Sequence, residues 1–380
     1  MFASAAVITG KGTGAIATIQ ICGDDAKNVL EKIFKPSPEL KVGKIFVGTI
    51  SDGSQTIDQV TIGCEGPDTF AINCHGNPLI VERIMQLLQR RDVKLLTAEQ
   101  LFCRTFDDSN TIALEAKLIL PKAKTIEGTR IILNQIDSGL TTTAKSWLEH
   151  PADKIAAEAN KIIETSRIAK LIIFGCRIVL AGPPNTGKST LLNRLSGNQK
   201  AIVTNIKGTT RDWVSAECRI GQMPVELIDT AGQYDGITDD IDKAAQEASA
   251  EVINQADLVL LVLDNSEPVE QLTKSLIDRL AGRKAMAVIN KSDLPARFDV
   301  AKLPANLVSD STQISALLGT GLDTLSKKIC EAADIENFDP QQPICFTQRQ
   351  ERLLTRLAEV KPKDTAQSII TELLSGPPNV

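Results

Sequence analysis

The chain has 380 residues, of which 42% are hydrophobic and 23% charged, and such a length suits about two to three domains with separate cores. Its formal net charge of −5 at pH 7 excludes a global basic field, so any nucleic-acid surface would be local or supplied by a partner. The eight scattered cysteines form no C-x-x-C pair and are accompanied by only two histidines, which argues against a zinc site and for free thiols in a reducing cytosol.

The first 115 residues are predicted to form a small α+β domain. They open on "MFASAAVITGKGTG", which has no basic lead and only a short apolar run, so a signal peptide is not expected. Short runs typical of strands, such as "AIATIQI" and "KIFVGTI", accompany helical patterns near residues 24–34 and 78–90.

From about residue 111 the pattern becomes helical. The segment "PADKIAAEANKIIETSRIAKLI" begins with Pro151, a residue that is favoured at the start of a helix. Residues 116–172 are therefore assigned to the first part of a helical domain, and residues 336–380 to a shortened second part.

Residues 173–335 alternate strand and helix patterns. The apolar runs "LIIFGCRIVLAG" (171–182) and "ADLVLLVLD" (256–264) are too short to span a bilayer and are predicted to be buried strands. The alternation predicts an α/β domain with a doubly wound, mostly parallel sheet, inserted between the two helical parts. No membrane association is expected, and the cytoplasm is the predicted location.

The stretch "GPPNTGKS" (182–189) fits the pattern G-x-x-x-x-G-K-[ST] between a strand and a helix. Its glycines let backbone N–H groups surround phosphate oxygens, Lys188 supplies a cation to the outer phosphates, and the Ser189 hydroxyl can bind Mg²⁺. The predicted phosphate-binding residues are Asn185, Thr186, Gly187, Lys188, Ser189 and Thr190.

Two further motifs suit the γ-phosphate side of a nucleotide. In "GTTRD" (208–212), Thr209 or Thr210 can act as a switch threonine that binds Mg²⁺. In "DTAG" (229–232), Asp229 can hold the metal through water and the Gly232 N–H can meet the γ-phosphate.

The last two motifs select the base. In "NKSD" (290–293), Asp293 can accept hydrogen bonds from the guanine N1–H and N2 amine, while Asn290 and Lys291 support the pocket. In "ISAL" (314–317), Ser315 and Ala316 complete it. Adenine presents the opposite donor and acceptor, so the alternative of an ATP-dependent kinase conflicts with this motif. The motif order predicts a domain that binds and hydrolyses GTP.

The chain resembles the MnmE (TrmE) family of tRNA-modification GTPases. The resemblance rests on "GPPNTGKSTLLNRLSG", on "AIVTNIKGTTRD", and on the N-terminal "AINCHGNP" and "AIATIQICG". The resemblance implies GTP/GDP and Mg²⁺ as ligands, K⁺-stimulated hydrolysis, a homodimer through residues 1–115, and an MnmG-like flavoprotein and tRNA as partners. It also implies that Asn185 helps to hold K⁺, whereas the plain alternative is that Asn185 only shapes its loop.

The loop after "DTAG" departs from the family. Gln233 stands where an apolar residue is usual, at the place where Ras-type GTPases keep a water-positioning glutamine. Asp242 aligns with the family glutamate that orients the attacking water. With Lys188 and Thr210, these two residues are the catalytic candidates; Gln233 could equally be a solvent-exposed switch residue with no catalytic part.

The N-terminal domain departs too. The family's Pro-Pro-Gly-Arg-Gly loop appears as "GKGTG" (10–14), with Thr13 at the arginine position and Lys11 nearby. This difference weighs against binding of a folate derivative. His75 could face that pocket or hold a turn.

The C-terminus differs most. Family members end with a C-I-G-K type motif, whereas this sequence ends "ELLSGPPNV" and its last cysteine, Cys345, lies near the exit of the α/β domain. The resemblance implies a GTPase linked to wobble-uridine modification of tRNA, and the missing C-terminal motif supports the alternative of a divergent regulatory or assembly GTPase that has lost the modifying chemistry.

Overall fold

The computed structural model describes two compact units. They are formed by residues 1–114 with 377–380, and by residues 115–376. The described residues are 3–10, 14–36, 39–105, 110–197, 203–205, 214–229, 252–308, 311–360 and 363–378.

Over the described residues, the first unit contains a seven-stranded sheet and three complete helices. The strands are β1 (Ser4–Val7), β2 (Ile16–Cys22), β3 (Phe34–Lys35), β4 (Ile45–Asp52), β5 (Gln55–Cys64), β6 (Thr69–His75) and β7 (Lys94–Leu95). The helices are α1 (Ala26–Ile33), α2 (Pro78–Gln89) and α3 (Ala98–Thr105). The strand order is β3-β4-β5-β6-β2-β1-β7, and of these pairs only β1 with β7 is parallel.

The two faces of this sheet are separated by the alternation of side chains along each strand. Ala5, Ile19 and Ile62 point to the face where α1 and α2 complete the core. Ala6 points the opposite way and packs against Leu101 of α3. The α+β character predicted for the first 115 residues is confirmed.

The second unit contains an α/β region together with helices that precede and follow it in the chain. The helices before it are α4 (Thr111–Ile119), which starts in the first unit, α5 (Ile126–Asp137), α6 (Gly139–Ser146) and α7 (Ala152–Phe174). The strands of the α/β region are β8 (Cys176–Ala181), β9 (Val203–Asn205), β10 (Val214–Ile220), β11 (Met223–Asp229), β12 (Leu258–Asp264), β13 (Ala285–Asn290) and β14 (Thr312–Gln313). Its helices are α8 (Lys188–Ser196), α9 (Lys274–Leu280), α10 (Ala305–Val308) and α11 (Leu322–Ala332), and α12 (Gln348–Glu359) and α13 (Lys363–Ser375) follow.

The sheet of this region has the order β14-β13-β12-β8-β11-β10-β9, and the five strands from β14 to β11 run parallel. All seven residues of β12 are buried, as expected for a central parallel strand covered on both faces. The mostly parallel sheet predicted from the sequence is confirmed. Helix α12 packs against α7 and α13 packs against α6, so helices from the two ends of the region meet.

One predicted strand boundary is wrong. The apolar run from residue 171 was expected to be strand, but helix α7 continues to Phe174 and β8 begins only at Cys176. Ile172 and Ile173 are buried in step with earlier apolar residues of the helix, so they extend its buried face. Gly175, with a φ of 97°, ends the helix and leads into the strand. Among the helices of the described ranges, none is long and apolar enough to cross a membrane.

Candidate functional site

The loop between β8 and α8 has the backbone shape of a phosphate-binding loop. Gly182, Asn185 and Gly187 have φ values of 139°, 61° and 90°. A Cβ on Gly187 would lie 2.3 Å from Asn290 Nδ2, and one on Gly182 would lie 2.2 Å from the Val262 carbonyl oxygen. Only glycine fits these two positions, and the N-terminus of α8 that follows favours an anion.

The Lys188 ammonium is held inside this loop. Its side chain is buried, and Nζ donates to the carbonyl oxygens of Gly182 (2.9 Å) and Pro183 (2.5 Å). Burial lowers the pKa of Lys188, while the charge of Asp229 opposes that shift. A phosphate would offer the ammonium an anionic acceptor in exchange for two neutral ones, and charge-assisted hydrogen bonds are the stronger kind.

Two oxygen-bearing side chains that could bind a metal ion lie beside Lys188. The Ser189 hydroxyl donates to Asp229 Oδ2 over 2.5 Å, and Asp229 ends the central strand β11 with 4% of its surface exposed. A hydroxyl and a carboxylate fit Mg²⁺, which takes one or two protein oxygens together with phosphate oxygens and water. Across the described part of the chain, no group of three or more histidines, cysteines or acidic residues could hold a metal by itself.

Asn290 joins the phosphate loop to the loop after β14. Its Nδ2 donates to the Thr186 carbonyl (2.8 Å), and its Oδ1 accepts from the Ala316 N–H (2.9 Å). The side chain is 2% exposed. Three predicted motifs are therefore brought together at the carboxyl edge of the sheet, where nucleotides bind in open α/β folds.

The other predicted base-pocket residues lie in the same two loops. The Asp293 carboxylate is exposed, and it has no hydrogen-bond or ion-pair partner among the described residues. Ser315 is buried and its hydroxyl accepts from the Leu318 N–H (3.1 Å). The Lys291 ammonium pairs with Asp264 Oδ2 at 2.6 Å.

Three residues of this region belong to none of the predicted motifs. Arg194 donates to the carbonyls of the loop after β14, at Ala316 (3.1 Å) and Leu317 (2.6 Å). Asp264 is the last residue of β12 and Asn265 follows it, and the Asn265 N–H donates to the Asn290 carbonyl (2.8 Å). A polar pair after a continuous apolar strand is a signal that could have pointed to the latter two.

Some predicted residues lie apart or outside the described ranges. Asn185 is exposed on the phosphate loop and Thr190 is exposed in the first turn of α8, and neither side chain has a hydrogen-bond partner among the described residues. Thr209, Thr210, Gly232, Gln233 and Asp242 fall outside the described residues, as do Lys11 and Thr13 of the N-terminal loop.

Two residues considered outside the α/β region have defined surroundings. His75 is exposed at the end of β6, with Nδ1 2.8 Å from Asp58 Oδ1 and its backbone N–H donating to Asp58 Oδ2. Cys345 is fully buried, its N–H donates to the Ser166 hydroxyl, and burial raises the pKa of its thiol. A buried thiol of raised pKa is a poor nucleophile.

Two family models match the chain. The model described as "GTP-binding protein TrmE N-terminus" matches residues 3–101, and the model described as "50S ribosome-binding GTPase" matches residues 177–291.

Curated relatives match most of the chain. The tRNA modification GTPase MnmE of Lactiplantibacillus plantarum is 31% identical over 89% of this chain and 82% of its own length. That of Ligilactobacillus salivarius is 30% identical over 98% of this chain and 89% of its own. That of Lactobacillus helveticus is 31% identical over 96% and 88%.

Solved structures resemble a smaller share of the chain. The G domain of the T. maritima FeoB iron transporter is 28% identical, covers 42% of this chain and 98% of its own, and has a TM-score of 0.34. Era in complex with MgGDPNP and a 16S ribosomal RNA fragment is 29% identical, covers 46% and 59%, and has a TM-score of 0.33.

Proposed function

The chain belongs to the MnmE (TrmE) family of tRNA modification GTPases, and we propose that the site at the carboxyl edge of its α/β sheet binds GTP with Mg²⁺ and hydrolyses it in support of wobble-uridine modification. The bridge made by Asn290 carries this proposal, because it joins the phosphate loop to the base-pocket loop by two buried hydrogen bonds. The Asp293 carboxylate, which is exposed and has no partner among the described residues, would supply the acceptor that guanine requires and adenine does not match.

Mg²⁺ would be held by Ser189, with Asp229 acting directly or through water. When bound, it neutralises charge on the phosphate oxygens. Lys188 would exchange its carbonyl partners for the outer phosphates, and the glycines of the loop allow the backbone to approach them. We assign Thr186, Gly187 and Thr190 to the same phosphate contacts, and Thr209 or Thr210 to the metal.

Hydrolysis needs a water molecule that is positioned for attack, and two residues are candidates for positioning it. Gln233 has the side chain used by Ras-type enzymes, and Asp242 stands at the family's glutamate position. Asn185 would support a K⁺ ion beside the phosphates; its exposed position and positive φ in the loop suit a contact with a ligand rather than with the protein. A fixed cation there would stabilise charge that develops in the transition state.

GTP turnover in KCl and in NaCl tests this mechanism in the wild type and in Asn185→Ala, Gln233→Ala and Asp242→Ala. We expect K⁺ stimulation that disappears in Asn185→Ala. Equal wild-type rates in the two salts would refute the potassium mechanism. A fall on the order of 10²-fold in one of the other two variants identifies the water-positioning residue.

The role in tRNA is tested by mass analysis of nucleosides from a deletion strain. We expect the wobble-uridine modification to be lost, and restored by the intact gene. Unchanged wobble uridines, in a strain without a paralogue, would support the alternative of a regulatory or assembly GTPase. The partners proposed are tRNA and an MnmG-like flavoprotein, in the cytoplasm, and the free thiols of all eight cysteines suit that compartment.

The proposed division is an N-terminal domain over residues 1–115, helical parts over 116–172 and 336–380, and the GTPase domain over 173–335.

A homodimer through the N-terminal domain is supported by exposed apolar side chains on one sheet face. Ile45 and Val47 of β4 are 73% and 62% exposed, and Ile16 of β2, on the same face, is 64% exposed.

A further inference from the structure

Asp264, the last residue of β12, has a carboxylate that accepts several hydrogen bonds next to the base pocket. It is 5% exposed and accepts hydrogen bonds from the Ser266 N–H (2.8 Å) and the Ser266 hydroxyl (2.7 Å). Its backbone N–H and carbonyl are both bonded to the Gln271 side chain at 2.8 Å. The position of this carboxylate is therefore set by its own strand and loop, independently of any nucleotide.

The Lys291 ammonium completes the shell of Asp264 at 2.6 Å. Burial by itself raises the pKa of the Asp264 carboxyl, but the hydrogen bonds from Lys291 and Ser266 outweigh it, and the pKa lies below its ordinary value. The carboxylate is ionised at neutral pH, and a buried anion requires a cation close by. Among the described residues Lys291 is the cation that meets it.

Lys291 also stands two residues before Asp293, the carboxylate proposed to read guanine. Asp293 is exposed and, within the described ranges, unpaired. A lysine has a flexible four-carbon stem, so an ammonium released from Asp264 could reach this neighbouring anion. Such a pair would occupy the oxygens that must accept from the guanine N1–H and N2 amine.

We propose that Asp264 is a positioning residue for guanine recognition: it holds the Lys291 ammonium away from Asp293 and so keeps the base-reading carboxylate free. The left-handed backbone of Lys291, with a φ of 61°, is part of this arrangement, since the side chain leaves the loop toward β12. The inference rests on the proposed function, because it presupposes that Asp293 binds guanine.

A double-mutant cycle tests the proposal through the equilibrium affinity for a fluorescent GDP analogue. The proteins are the full-length wild type, Asp264→Asn, Lys291→Gln and the double variant. Asp264→Asn keeps an acceptor for Ser266 and releases the ammonium, so we expect the dissociation constant to rise on the order of 10-fold, as for one lost charge-assisted contact. The double variant should bind as Lys291→Gln does, because no ammonium is left to compete.

The dependence of the GDP dissociation constants on ionic strength is a second readout. An exposed ion pair between Lys291 and Asp293 would be screened, so the ratio of the Asp264→Asn and wild-type dissociation constants should shrink as ionic strength increases. The matched control is Asp257→Asn. Asp257 lies just before the opposite end of the same strand and accepts the Arg177 N–H at 2.8 Å, so the substitution should leave GDP affinity unchanged.

The proposal is overturned if Asp264→Asn binds GDP as the wild type does, or if its loss persists undiminished in the Lys291→Gln background. If Asp264→Asn does not fold, as judged by its thermal transition, Ser266→Ala replaces it. That change loosens the carboxylate and keeps its charge, so it should weaken GDP binding only when Lys291 is present. A wild type that binds no guanine nucleotide would refute the proposed function instead.

Discussion

Ser189 Oγ lies 2.5 Å from Asp229 Oδ2, and the hydroxyl donates to the carboxylate at the place where Mg²⁺ would be held. Because the metal would replace this hydrogen bond, Ser189→Ala should remove most of the gain in GTP affinity that Mg²⁺ provides, on the order of 10-fold or more. The measurement is the GTP dissociation constant in Mg²⁺ and in EDTA. Ser196→Ala, at the other end of the same helix, should retain the full Mg²⁺ effect.

Lys188 should give nucleotide-free protein an unusual pH dependence. Its pKa in the folded state lies below the ordinary lysine value of 10.5, first because of burial. Between these two values the unfolded chain binds more protons, so this group makes the folded state more stable as pH rises. The denaturation midpoints of the wild type and Lys188→Met should therefore converge with rising pH, whereas parallel curves would contradict the lowered pKa. GTP affinity of the wild type should fall over the same interval as the ammonium loses its charge.

Gly187→Ala should disrupt the link between the phosphate loop and the base pocket. The added Cβ would lie 2.3 Å from Asn290 Nδ2, the group that bonds the Thr186 carbonyl. We expect GDP affinity to fall on the order of 10-fold and stability by about 1–3 kcal/mol. Gly282→Ala is the matched control, since Gly282 also has a positive φ of 72° but nothing within 4 Å of its Cβ. That variant should show only the backbone cost, about 1–2 kcal/mol, with GDP affinity intact.

Breaking a buried ion pair should strongly destabilise the second unit. Arg349 of α12 donates to Glu115 of α4 at 3.0 Å, and its other nitrogens donate to the carbonyls of Glu372 and Leu373. Since removing one partner leaves a buried charge, Arg349→Met should cost about 3–5 kcal/mol in the free energy of unfolding. Arg349→Lys should be intermediate, because it keeps the charge and loses the planar fork. Arg356→Ala, which breaks an exposed pair, should cost about 1 kcal/mol or less.

A charged substitution on the proposed dimer face should lower the molecular mass of the protein in solution. Val47→Lys should convert the protein to a monomer in light scattering coupled to size-exclusion chromatography, because a charge there would be buried between the two sheet faces of the proposed dimer. Val42→Lys places the same charge at a position that is also 59% exposed but lies outside the strand, and the dimer should persist. A wild-type protein that elutes as a monomer would refute the dimer itself.

Local patterns predicted much of the fold. The six consecutive apolar residues of β12 and the alternation of strands with helices indicate a parallel sheet because buried central strands need no polar face. The end of α7 was misjudged because Ile172 and Ile173 satisfy the burial pattern of a helix and of a strand equally well. The choice between them came from the packing of the helix, which extends its buried face to Ile173.

Sequence by itself identified the family and the GTPase class and predicted the residues of the candidate site, because phosphate and guanine recognition rest on short motifs in a set order. Only the tertiary structure decided which carboxylate meets Lys291, which carbonyls hold Lys188, and that Glu115 meets Arg349 across 234 positions. These contacts join side chains from separate elements with no regular spacing between them. Their partners are set by the fold that brings them within hydrogen-bond distance, and a linear pattern does not encode that distance.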